Sequence, residues 1–268
     1  MDIREKAMKG LKLDEIFIMD CHAHGGYWNT QHIPGNMPED MIRSMDWIGV
    51  DMAMISSQAA IASSNGWGND ITVGMTLKYP DRFYGYVVIN PHYPESHKEE
   101  IERCFVFPGM KGLKIHPNTH GVPPDHYNYQ LCYETANERR CPMLIHTWGR
   151  DSVVKVGQMA ERYPNARLIM GHYGGPEKGA MSEAVNVVNK HENVYADITI
   201  SYMYEGNLEW LVKEAGAKKV LYGTDLPFID ARPNFGRVAL AEISDEDKTD
   251  IFGRNMKRIL GMEREARI

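Results

Sequence analysis

Ile16-Phe17-Ile18-Met19-Asp20-Cys21-His22-Ala23-His24 is a short apolar run that ends abruptly in acid and imidazole. A run this short suits a buried strand better than a helix. The design recurs. Apolar or β-branched runs at 16–20, 52–56, 83–89, 110–115, 142–145, 166–170, 194–198 and 219–222 each close on Gly, Pro, Asn, His or a similar polar residue. Segments with helical spacing follow them, at 39–48, 69–79, 95–104, 127–139, 152–162, 177–190, 207–215 and 244–260. Eight strand-helix alternations match an α/β fold of the (β/α)8 TIM-barrel type. A doubly wound open sheet normally uses fewer strands. Its dinucleotide fingerprint is missing, since Gly66-Trp67-Gly68 lacks the third glycine. Two helix ends are legible. Ser244-Asp245-Glu246-Asp247 offers a hydroxyl and carboxylates to free amide N–H groups, and Gly216 can supply the positive φ that closes a helix. Residues 1–268 read as one barrel domain, with the long Pro-containing connection 117–128 as a candidate lid.

Composition excludes several classes. The 268 residues are 43% hydrophobic and 25% charged, too apolar for a disordered chain. Thirty basic against 36 acidic residues give a net charge of −6, which offers no face for a polyanion, so no nucleic-acid partner is expected. No stretch reaches the ~18 apolar residues of a membrane span. Met1-Asp2-Ile3-Arg4-Glu5-Lys6 carries no apolar signal core, and a cytoplasmic protein is the expectation. Cys21, Cys104, Cys132 and Cys141 form no C-x-x-C pair and read as buried, reduced thiols.

The informative residues stand at the C-terminal ends of the runs: His22 and His24, His116, His146, His172 and Asp225. In a parallel barrel those ends share one mouth, where catalysis is found. Positions i and i+2 of a strand face the same way, roughly 6.5–7 Å apart, so His22 and His24 can converge on one ion while Cys21 and Ala23 turn toward the helices. Closing the barrel brings Asp225 beside them, and His146 reaches in from the opposite wall. Three imidazoles and a carboxylate suit Zn2+ first, with Mn2+, Fe2+ or Co2+ able to take the same donors, and leave a position for water.

Asp20-x-His22-x-His24, Tyr79-Pro80-Asp81-Arg82-Phe83 with Asn90-Pro91, and Gly112-Leu113-Lys114-Ile115-His116-Pro117 occur here in order. Ile145-His146, Gly171-His172, Gly223-Thr224-Asp225-Leu226-Pro227-Phe228 and 251–260 follow. As a set they resemble the amidohydrolase superfamily, in the amidohydrolase-related branch that includes aminocarboxymuconate-semialdehyde decarboxylase. The resemblance implies a metal-dependent barrel hydrolase or lyase. It implies His22, His24, His146 and Asp225 as ligands of one divalent metal, and His172 as the imidazole that polarises substrate or activates water. It places Trp148 near the site. Some superfamily members carry a carboxylated lysine on the fourth strand, so a binuclear site bridged by Lys114 stays open beside the mononuclear one.

The leading expectation is a hydrolase of a small carboxylate-bearing amide, ester or lactone. In it Asp225 passes the proton of a metal-activated water and His172 serves the developing oxyanion. A non-hydrolytic decarboxylase of a small unsaturated or aromatic acid is the alternative on the same site. A metal-independent lactonase or ligand-binding barrel is the third class. Lys114, His116 and Arg150 are expected to meet a substrate carboxylate. Arg150 reads equally as a solvated helix start. Tyr27, Trp28, Trp67, Tyr127 and Trp148 are candidates for an aromatic wall. Asp197 reads as a structural hydrogen-bonding group. A homo-oligomer is expected because barrels commonly form them, although no interface patch is diagnostic.

Overall fold

The computed structural model describes residues 2–28, 31–200 and 202–262. Eight parallel strands run in chain order around a TIM barrel. They are β1 (Met19–Gly25), β2 (Met52–Ser57), β3 (Phe83–Val88), β4 (Met110–Ile115), β5 (Pro142–Trp148), β6 (Arg167–Gly174), β7 (Val194–Asp197) and β8 (Val220–Leu221). β8 is short, and the residues after it complete the closure. Tyr222 O accepts from Cys21 N–H (2.9 Å), His22 O from Asp225 N–H (2.8 Å), and Leu226 O from His24 N–H (2.7 Å). This backbone zipper carries Asp225 to the two β1 histidines, over two hundred positions away in sequence.

Side chains sort by strand parity. Met19, Cys21, Met54, Tyr86, Leu144, Ile169 and Leu221, drawn from six strands, form one cluster inside the barrel. Leu113, Ile115, Met143, Ile145, Leu168 and Met170 pack outward among the helices. Cys21 corrects the expectation of strict alternation. The β1–β2 register shifts between Asp20 and Ala23, a bulge that adds a residue and turns Cys21 into the barrel. All four cysteines are buried and free. Gly223 shows how tightly the closing segment packs: a Cβ there would lie 2.0 Å from Thr199 Oγ1 and 3.1 Å from His22 Cβ.

Several helices depart from the periodic reading. Helix Asn65–Lys78 begins earlier than expected, and short helices Ile3–Met8 and Gln58–Ala62 lay below the length that periodicity detects. Helix Ala231–Leu240 went unread because Pro233 and Gly236 interrupt its pattern. The expected helix 244–260 is two helical pieces, Asp245–Thr249 and Asn255–Leu260, joined by a wide π turn over Asp250–Arg254. Ser244 caps it as read, its hydroxyl accepting from Asp247 N–H at 3.1 Å. Gly216 does take positive φ (+81°), but with ψ 140°, outside the left-handed helical well. Segment 117–128 is tied down: buried His120 bonds Ile61 O (3.0 Å) and Tyr129 Oη (2.6 Å), and Tyr133 Oη donates to Pro124 O. Its Thr119 forms part of the cavity wall. Among the described residues no helix is long and apolar enough to cross a membrane.

Candidate metal centre and active site

At the C-terminal mouth of the barrel a cavity of about 380 Å³ is lined by His24, His116, His146, His172 and Asp225, together with Trp28, Trp148 and Phe228. On its floor, Asp225 Oδ1 lies 3.3 Å from His22 Nε2 and 3.2 Å from His24 Nε2. The ligand atoms of these three buried residues all fall within 4.8 Å of one another.

Their other ring nitrogens decide what those contacts mean. His24 Nδ1 faces the carbonyl of Ser56 at 3.2 Å. A carbonyl only accepts, and the Ser56 hydroxyl, also 3.2 Å from Nδ1, can accept as well, so a proton on Nδ1 serves both and the Nε2 lone pair points at the Asp225 carboxylate. His22 Nδ1 donates to Asp197 Oδ2 at 2.9 Å, which leaves its Nε2 an acceptor, met by Lys114 Nζ at 2.8 Å. Burial holds the His22 and His24 imidazoles below their usual pKa, opposing protonation as a remedy. Burial pushes Asp225 upward, but His22, His24 and His172 outweigh it and hold the carboxyl below the ordinary carboxylate range. A lone pair and a carboxylate oxygen at 3.2 Å repel unless a cation sits between them. The donor set therefore fits a divalent metal.

His172 and His146 form a second fixed pair. His172 Nδ1 donates to the carbonyl of Thr199, and its Nε2 is 3.0 Å from His146 Nδ1. With Nδ1 donating to Thr199, His172 Nε2 is left to accept from His146 Nδ1, which leaves His146 Nε2 free for ligation. His146 stands outside the tight His22/His24/Asp225 group, yet it lines the same cavity with the nitrogen that ligation needs. Both His172 (φ +62°) and Asp225 (φ +63°) occupy left-handed backbone, uncommon for residues with side chains. His172 is held there by its N–H to Asp197 Oδ1 (3.1 Å), and Asp225 by its N–H to His22 O (2.8 Å).

Asp197 is thus more than a generic structural bond. One oxygen orients His22, and the other takes the backbone N–H groups of His172 and Thr199. Ser56 and Thr199 do comparable work through their carbonyls, which no residue-type pattern announces. Asp20 lies one layer below. It accepts from Thr224 Oγ1, Thr224 N–H and His22 N–H and so clamps β1 to the closing segment. Burial raises its carboxyl to about 8.

Two expected substrate residues are placed elsewhere. Lys114 is fully buried behind the cavity, with Nζ 2.8 Å from His22 Nε2, and burial lowers its pKa to about 8. It is not part of the cavity lining. Its inward parity on β4 points it into the barrel axis beneath the mouth. Arg150 starts helix Arg150–Arg162 at the surface, pairs with Glu183 at 3.0 Å and is not part of the cavity lining. His116 does line the cavity. It accepts Thr119 N–H on Nδ1 (3.3 Å), and burial holds its ring well below the usual pKa.

Aromatic rings wall the cavity on two sides. His116 stacks on His146 (3.8 Å, 18°) and His146 on Trp148 (6.1 Å, 9°), while Trp28 stacks on Phe228 (4.8 Å, 10°). Tyr27 and Trp67 stack on each other outside it, and Tyr127 packs against His126. Phe228 and Gln58 were given no role by sequence, because a phenylalanine and an uncharged amide are not the acid, imidazole or cation by which a strand-end residue is picked out as functional.

A TIM barrel with a histidine pair on its first strand and an aspartate after its last defines a class of metal-dependent enzymes, and a family model described as Amidohydrolase matches residues 19–262. The chain belongs to the amidohydrolase family. It is 26% identical over 235 residues to 2-amino-3-carboxymuconate-6-semialdehyde decarboxylase of Dictyostelium discoideum, covering 73% of this chain and 66% of that one, just under two thirds. It is 23% identical to gamma-resorcylate decarboxylase of a Polaromonas strain, over 83% of this chain and 87% of the relative. Among solved structures, 5-carboxyvanillate decarboxylase of Novosphingobium aromaticivorans, complexed with manganese, superposes with a TM-score of 0.75 at 15% identity, over 93% of this chain and 97% of that one.

Proposed function

We propose that this enzyme is a metal-dependent decarboxylase of small planar aromatic or unsaturated carboxylic acids. The decarboxylase alternative is better supported than the hydrolase reading, because the curated relatives carry decarboxylase names. The observation that carries the proposal is the convergence of His22, His24 and Asp225 on the floor of a cavity with flat aromatic walls. One divalent ion would be held by those three residues, with His146 Nε2 as a fourth donor; Mn2+ and Zn2+ both suit nitrogen and carboxylate ligands. When bound, it supplies a positive charge that anchors a carboxylate or polar oxygen of the substrate.

The chain's own groups do the rest. The stacked rings hold the substrate plane and exclude water. Decarboxylation needs a proton delivered to the carbon that bears the carboxylate. The C–C bond then breaks, its electron pair restores the π bond that took up the proton, and CO2 leaves. Asp225 and His172 line the cavity, and proton transfer is assigned to them, with His172 relaying through the Nε2 it shares with His146 Nδ1. The relatives' named substrates include acids with one carboxylate and acids with two, so likeness alone does not choose between them.

The test is product analysis of the Mn2+- and Zn2+-loaded protein with 2,6-dihydroxybenzoate and a panel of aromatic acids, amides and lactones. CO2 release with a product 44 Da lighter than its acid, a mass fixed by the chemistry of loss of CO2, supports the reading. Net addition of water to an amide or lactone, with no CO2 from any acid, returns the site to hydrolysis.

A further inference from the structure

We propose that the cavity admits planar acids carrying a single carboxylate and rejects those with a second one, and that Gln58 is the position that sets this limit. The inference rests on the proposed decarboxylase reading and deepens it by naming the substrate class.

The reasoning is a charge count. Among the described residues that line the cavity, Asp225 is the one formally charged side chain. A divalent ion with one aspartate and neutral imidazoles leaves a single positive charge, which one substrate carboxylate cancels. A second carboxylate would need a cation of its own. The two cations that sequence offered are both committed elsewhere. Lys114 is fully buried beneath the floor and does not line the cavity, and the Arg150 guanidinium is outside on Glu183. His116 cannot substitute while its Nδ1 accepts the Thr119 N–H, because the ring then has only one N–H to give.

What faces the rest of the substrate is neutral. Gln58 opens helix Gln58–Ala62 directly after β2, lines the cavity, and its amide bonds to none of the other described residues. Thr119 lines it from the 117–128 segment. An amide and a hydroxyl serve a phenol, carbonyl or amine, and neither compensates a buried carboxylate, whose unpaired burial is costly. Between them the aromatic walls leave a slot for a ring.

The experiment measures binding, independent of turnover. The Mn2+-loaded chain is titrated with benzoate and with isophthalate (benzene-1,3-dicarboxylate) by calorimetry, alongside Gln58→Arg and, as a second placement of a cation, Thr119→Lys. For the parent protein we expect isophthalate to bind roughly 30-fold or more weakly than benzoate, the scale of an uncompensated buried charge. Either cationic variant that keeps its folded melting transition should bring the two ligands within about threefold, by strengthening isophthalate alone. Equal or tighter binding of isophthalate to the parent protein overturns the selectivity and leaves decarboxylation standing. Selective binding of benzoate with no CO2 release from any monoacid retains the selectivity and sinks the decarboxylase reading. Binding of neither acid refutes both.

Discussion

Replacing Asp197 by Asn isolates the hydrogen bond that prepares His22. Asp197 Oδ1 accepts the N–H groups of His172 (3.1 Å) and Thr199 (2.8 Å), and Oδ2 accepts from His22 Nδ1 (2.9 Å). An asparagine of the same shape keeps its carbonyl oxygen on the two backbone donors, since turning it over would set its NH2 against both. Its NH2 then faces His22 Nδ1 and donates. His22 must accept there, its proton moves to Nε2, and that nitrogen stops being a ligand. Loss of a partner that orients a ligating histidine costs about 10–100-fold in metal affinity, or about 1.4–2.7 kcal/mol. The backbone bonds survive, so the fold should change little. The assay is competition for Mn2+ or Zn2+ against a chromophoric chelator, with melting of the metal-free protein as control. Unchanged metal affinity in a normally folded Asp197→Asn protein would refute the tautomer reasoning.

Four further outcomes are expected. His172→Ala should lose CO2 release by about 100-fold or more while keeping one metal ion per chain, checked by product assay and elemental analysis; stoichiometric loss of metal would move His172 into the ligand set. Arg150→Ala should leave kcat/KM within about twofold and stability within about 0.5 kcal/mol, because its partner Glu183 is met at the surface; a large rise in KM would restore its substrate role. Gly223→Ala should destabilise the protein by about 1–3 kcal/mol in denaturant titration, since its Cβ falls 2.0 Å from Thr199 Oγ1 and the closing segment cannot retreat without breaking its bonds to β1. Chelator treatment should abolish turnover, and Mn2+ or Zn2+ should restore it; activity that persists in metal-free protein speaks for the metal-independent class.

The barrel was legible because its period is coarse: eight apolar runs alternating with helical segments survive errors of several residues at each boundary. The site was legible where function places a polar residue at a strand end, as with His22, His24, His146, His172 and Asp225. Parity reasoning failed at Cys21, since a bulge leaves no mark in residue type. It failed for the destination of Lys114, because a lysine beside a histidine-rich mouth reads as a substrate cation until its burial and its contact with His22 are known. The groups that set the tautomers were hidden for a different reason. Ser56 and Thr199 act through backbone carbonyls, which every residue has, and Asp197 acts across the barrel on a histidine 175 positions away. The aromatic wall was read in part: Trp28 and Trp148 line the cavity, while Tyr27 and Trp67 pair with each other instead.

The most direct test is an anomalous-scattering map from crystals of the chain grown with Mn2+. We expect a single strong peak between His22 Nε2, His24 Nε2 and Asp225 Oδ1, at ligand distances of about 2.0–2.3 Å once the side chains close on the ion. No peak at that position, or a peak that leaves His24 and Asp225 without the ion, would contradict the metal centre on which the proposed chemistry stands.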